Sequence, residues 1–362
     1  MHRQKTKQKT VKIPAVLSII LSITIILLIV YFTVDANTIR QLASTTIRYE
    51  FFFLAVLLNI LYWILWGVRL QILSNAIDDT THISLRNATK IVIANLFLAG
   101  ITPSMAGGEP VRIHLLNKQG ISLGGATAAV LGERLLDAIF MLVCVPFAFY
   151  IYKDKPGIEV ISIGLWIGVF VFLILLILFA YAILRPEKIK SLLIALNKII
   201  LRFSKKKDKE SKIITRVHKE VDNFHCSMSC FVGEKKKSFI KASLITVLFW
   251  STGFLIPSMI LLGLNLPPYF IESYAAQILL LVIIMLPLTP GSAGITELGI
   301  AGLYGILIGT GQGTLLGVFV ILYRFVTYHM NLIAGGIFQY RIFKSVASFS
   351  LDSIKKEKDI CK

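Results

Sequence analysis

The sequence predicts an all-α, polytopic integral membrane protein, with about six full spans and two oppositely oriented re-entrant helical hairpins arranged as an inverted repeat. Three observations lead there. The 362 residues are 56% hydrophobic and only 16% charged, with a mean hydropathy of +0.75. A broken apolar segment occurs twice, at 98–109 and at 286–297. Basic residues are confined largely to three stretches, with five Lys/Arg in 1–12, sixteen in 185–241 and six in 341–362, or 27 of 38.

A helix needs about 20 apolar residues to cross a bilayer. Windows of that kind begin near residues 13, 51, 126, 159, 240 and 313, and two more, 91–116 and 272–310, contain the breaks. The first window is longer than a signal-peptide core and is followed by no clear cleavage site, so it reads as a retained anchor.

Each break has the same chemistry. Thr102-Pro103 is followed by Ala-Gly107-Gly108 and Glu109; Thr289-Pro290-Gly291 is followed by Ala-Gly294 and then Glu297. Proline removes a backbone donor, and irregular backbone facing lipid leaves polar groups unsatisfied at a cost of several kcal/mol each. Such segments must be buried in protein or line a wet cavity. Interruptions at corresponding places in two halves mark the binding site of a transporter-like fold.

The charge distribution follows the positive-inside pattern and places 1–12, 185–241 and 341–362 in the cytoplasm of a cell-membrane protein, with both termini inside. It offers no support for nucleic-acid binding. An even number of crossings must then precede the basic loop, although five apolar segments do. Letting 91–116 enter and leave on the cytoplasmic side leaves four crossings. The same parity after the loop makes 272–310 a hairpin from outside. The alternative is eight ordinary crossings with the loop outside. A single membrane domain therefore spans 1–362: a first half at 12–184, the basic loop 185–241, a second half at 242–340 and the tail 341–362. Within the loop, apolar residues recur at helical spacing over 187–203 among lysines and arginines, as expected of an interfacial amphipathic helix that anchors or gathers anionic lipid.

Eight charges lie within or beside apolar segments: Arg69, Arg112, Arg134 and Arg324 against Glu109, Glu133, Asp137 and Glu297. At about 2.5 to 3.5 kcal/mol each, left alone they would cost on the order of 20 kcal/mol. They must be paired or hydrated. Glu133 and Asp137 share a helical face and read as structural partners of Arg134. Arg324, Thr327, Tyr328 and Asn331 form one polar stripe, and Asn59, Tyr62, Trp66 and Arg69 another, with Arg69 near enough to a helix end to snorkel. The Thr-Pro breaks are 187 positions apart and Arg134 and Arg324 are 190 apart, so the repeat runs from each hairpin to the following arginine helix. No metal or other cofactor is called for: His218, His225, Cys226 and Cys230 match none of the usual zinc spacings.

Four motifs carry a resemblance: Gly-Glu-Pro-Val-Arg at 108–112, Glu-Arg-Leu-Leu-Asp at 133–137, Pro-Leu-Thr-Pro-Gly-Ser-Ala-Gly-Ile-Thr-Glu at 287–297 and Tyr-Arg-Phe-Val-Thr-Tyr at 323–328. In this order they resemble the flippase-like transmembrane region of lysylphosphatidylglycerol synthases and related stand-alone membrane proteins. The family commonly has a further glycine where this chain has Ser292-Ala293. The resemblance implies movement of charged lipids between leaflets, without aminoacyl transfer, which belongs to a separate cytosolic domain; only the tail 341–362 follows the last helix here.

The expected function is thus a non-enzymatic lipid translocase. Its partners would be membrane lipids, anionic or of polyprenyl-phosphate type, and a separate lipid-modifying enzyme. Substrate contacts fall to Glu109, Arg112, Arg134, Glu297, Arg324 and Tyr328, with Arg134 and Arg324 holding phosphate. Both glutamates also suit the first turn of a helix without any ligand. An ion-coupled carrier of a small anionic solute fits the same hairpins. An intramembrane lipid-modifying enzyme fits less well, because no nucleophile or metal cluster stands beside a base. No nucleotide-binding loop is present, so transport would be downhill, ion-coupled or driven by a partner.

Overall fold

The computed structural model describes residues 46–77, 81–100, 108–155, 158–185, 187–188, 191, 221–229, 231, 233–284, 292, 294–309 and 315–337. The anchor at 13–34, most of the basic loop, the tail and the Thr-Pro breaks lie outside these residues. All regular structure among the described residues is helical. Helices α1 (Tyr49–Ile77), α2 (Leu85–Gly100), α3 (Gly108–Lys118), α4 (Leu123–Tyr152) and α5 (Ile158–Leu184) precede the basic loop. After it come α6 (Lys236–Gly263), α7 (Phe270–Ile284), α8 (Ile295–Ile308) and α9, which starts at Leu316 and continues through a π turn at Phe325–His329 to Ile337.

Among the described residues, α1, α4, α6 and the Leu316–Ile337 helix are long and apolar enough to cross a membrane. They match the windows near 51, 126, 240 and 313, while α5 matches the one near 159. Large apolar side chains such as Phe53, Leu57, Leu61, Trp166, Phe170 and Leu244 remain exposed, as faces turned to hydrocarbon would be.

The helices that flank each break pair with one another. In the first pair, Asn87 donates to Gln119 and Gly108 meets Asn95, so α2 and α3 run antiparallel. In the second, Ser273 and Gln277 bond Tyr304 while Leu280 faces Gly299, giving the same arrangement of α7 and α8. Helices of 16, 11, 15 and 14 residues are about 24, 16, 22 and 21 Å long, all short of a hydrocarbon core of about 30 Å. A Cβ on Gly108 would lie 2.1 Å from Asn95 Oδ1 and 3.2 Å from the Asn95 carbonyl oxygen, so any larger residue would push the Asn95 side chain aside where α3 approaches α2.

The repeat extends one helix further back than the sequence reading placed it. Helices α1 and α6 begin 187 positions apart and pack along their length. They are antiparallel: Arg48 N–H donates to Gly263 O, Trp66 meets Phe249, and Arg69 reaches Thr246. Tyr62 and Phe249, equivalent positions at the same offset, stack on each other with centroids 4.3 Å apart. Equivalent residues meet in this way only near a local two-fold axis. The units α1–α4 and α6–α9 thus begin with helices of opposite sense.

Candidate functional site

In the first unit, six side chains of alternating charge form one chain. Glu133 accepts from Arg112 and from Arg69 Nε at 3.1 Å. Arg69 Nη1 reaches Asp137 at 2.5 Å, and Asp137 also faces Arg134 Nη1 at 3.4 Å. Arg134 closes the chain on Glu109, whose Oε1 accepts from Nε at 2.9 Å and Nη2 at 2.5 Å. Three positive and three negative groups from α1, α3 and α4 balance, which is what makes their burial affordable.

Two sequence expectations are corrected here. Glu133 does not pair with Arg134 but lies between Arg69 and Arg112, because α4 turns that residue toward α1 and the interior of the first hairpin. Arg69 does not snorkel: its side chain is fully buried, spans two carboxylates and lies over the Phe249 ring at 4.6 Å. Proximity to a helix end says nothing of depth when another helix, here α6, covers that end. Asp137 does meet Arg134, as its i,i+3 spacing suggested, although Arg69 is its nearer partner.

The second unit holds a simpler pair. Glu297, in the first turn of α8, accepts from Arg324 Nε at 2.9 Å and from the Gly294 N–H at 2.7 Å. Gly294, the residue before α8, has φ of +90°, a conformation open to glycine, which lets its N–H meet the Glu297 carboxylate of the first turn. Arg324 lies 4.0 Å above the Tyr328 ring, and its Nη2 is buried with no hydrogen-bond partner among the described residues. Arg112 Nε and Nη2 share that condition.

Tyr328 connects the units. Its hydroxyl donates to Gly100 O at the C-terminus of α2, where a helix leaves its last carbonyls unpaired. Asn59 on α1 donates to Val326 O within the π turn that follows Arg324. Trp63 on α1 donates to Asn331, while its repeat equivalent Trp250 on α6 donates to Asp137. Each central helix therefore braces the arginine helix of the other unit. Of the expected hairpin breakers, Gly108 begins α3 and Gly294 immediately precedes α8, while Thr102, Pro103, Gly107, Thr289, Pro290 and Gly291 lie outside the described residues.

Sequence reasoning missed the two tryptophans, although their 187-residue spacing was available. It also missed a buried relay in which Tyr323 donates to Gln277 Oε1, Gln277 donates to Tyr304, and Tyr304 meets Ser273. Isolated polar residues in apolar helices gave no sign of which would meet.

With this geometry established, comparison with known proteins assigns a family. The model of the lysylphosphatidylglycerol synthase TM region matches residues 19–335. The chain belongs to that family. A UPF0104 membrane protein of Archaeoglobus fulgidus is 35% identical over 296 residues, covering 80% of this chain and 86% of that one. Another, from Pyrococcus horikoshii, is 24% identical over 339 residues, covering 92% and 99%. No solved structure matches. Membership of the lysylphosphatidylglycerol synthase TM region family, with several apolar helices, makes this a multi-pass membrane protein.

Proposed function

We propose that this protein is a flippase-like translocase of a phosphate-bearing lipid, and not an enzyme. The observation that carries the reading is the repeated ion pair. Glu109–Arg134 and Glu297–Arg324 each join the first turn of a half-length helix to the long helix that follows, at offsets of 188 and 190 residues. A lipid changes leaflet only if its head avoids hydrocarbon while its tails remain there, so the path must be a polar groove open sideways. Each guanidinium is held by a carboxylate while the site is empty, and can exchange that partner for phosphate oxygens, which it binds as a fork. Helix starts at Gly108 and Gly294 add backbone donors and the positive dipole end.

The antiparallel pairing of α1 and α6 supports hairpins that enter from opposite faces, with 91–116 from the cytoplasm and 272–310 from outside. The basic stretches support cytoplasmic termini and a place in the cell membrane. Anionic or polyprenyl-phosphate lipids fit two guanidinium groups, and an enzyme that modifies the lipid would be a fitting partner.

The test is reconstitution into phosphatidylcholine liposomes carrying fluorescent phosphatidylglycerol or a labelled polyprenyl phosphate. Leaflet exchange of at least one probe should exceed that of empty vesicles and should be lost in Arg324→Ala. Exchange no faster than in empty vesicles for every probe would overturn the reading and favour the solute carrier.

A further inference from the structure

We infer that Arg69 is a positioning residue for Arg134, acting through Asp137. The inference rests on the reading of Arg134 as a phosphate-holding group and adds a residue that the motifs do not contain. Arg134 and Glu109 form the accessible end of the ionic chain, with side chains 41% and 28% accessible. A long, half-exposed arginine has many rotamers, and holding one geometry costs side-chain entropy unless its neighbours fix it. Asp137 fixes one side of the guanidinium at 3.4 Å, opposite to the grip of Glu109.

Asp137 itself needs fixing, because a carboxylate can rotate toward any donor. Arg69 Nη1 at 2.5 Å and the Trp250 indole N–H at 2.9 Å both donate to Oδ1, while Oδ2 accepts from Arg69 Nη2 at 3.5 Å on one side and faces Arg134 on the other. Arg69 cannot drift in turn. Its Nε is bound to Glu133, Nη1 also reaches Thr246 Oγ1 at 3.4 Å, and its plane rests on Phe249. The position equivalent to Arg69 in the second unit, 187 residues on, is Ile256, so this brace belongs to the first site alone.

The experiment uses full-length protein in phosphatidylcholine nanodiscs, labelled with the arginine reagent phenylglyoxal and read peptide by peptide by mass spectrometry. Arg48, on the exposed approach to α1, is the internal control. Arg69→Lys keeps the charge but loses the fork. Asp137→Asn keeps the shape and the bond from Trp250 while cutting the charged link to Arg134. Both variants should raise the labelling rate of Arg134 several-fold and leave that of Arg48 unchanged. Should Arg69→Lys fail to fold, Arg69→Gln replaces it, since a neutral amide can still donate to Asp137 but cannot bridge it to Glu133. Unchanged Arg134 labelling, or a rise matched at Arg48, would overturn the inference, the second outcome marking general loosening. Because labelling requires no transport, failure of leaflet exchange would remove the proposed function without deciding this point.

Discussion

The Arg134 and Arg324 sites occupy corresponding places in the two units, yet their surroundings differ in kind. Arg134 and Glu109 have side chains 41% and 28% accessible, whereas Arg324 and Glu297 are at 3% and 0%. The first pair is the outer end of a six-member ionic chain, and the second is enclosed between the Tyr328 ring and the start of α8. Duplication thus preserves an acid at a helix start and an arginine on the next helix, while burial and neighbours diverge. The consequence is energetic, because a charge pair shielded from water loses far more when it is broken than one that water can reach.

Four substitutions test that difference. Glu133→Ala, which strips both Arg69 and Arg112 of a shared carboxylate, should destabilise the folded protein most, by about 3 to 5 kcal/mol in denaturant titration of detergent-solubilised protein. A loss under about 1 kcal/mol would show the chain to be solvated. Next, Glu297→Gln should cost about 3 kcal/mol and its repeat equivalent Glu109→Gln no more than about 1 kcal/mol, since Arg134 keeps Asp137 and water. Equal losses would erase the distinction between the sites. The smallest effect belongs to Tyr328→Phe, which keeps the ring under Arg324 and removes one hydrogen bond to Gly100, at about 1 kcal/mol in the same titration. No change would mean that the hydroxyl does not hold the two units together.

Much of the architecture was legible beforehand because its causes are local. Apolar length announces a span, Thr-Pro with following glycines announces a break, and both occur at a constant offset. The ion pairs were legible only as a necessity. Eight charges in apolar surroundings required partners, but helical spacing pointed Glu133 to the adjacent Arg134 and left Arg69 to snorkel at a helix end. Helical spacing reports which residues share a face and not which helix that face meets. The bracing by Trp63 and Trp250 and the Gln277 relay were hidden for the same reason: each joins residues more than 25 positions apart through helix contacts that composition does not encode.

By itself the sequence determined an all-helical membrane protein with a doubled broken helix and buried charges in need of neutralising, since transfer from water and backbone satisfaction depend on residue type alone. Which guanidinium meets which carboxylate, which site is closed, and that α1 and α6 cross as antiparallel equivalents were decided by tertiary packing. Short-range ionic contacts are settled by a few ångströms of helix placement, and only the folded chain supplies that placement.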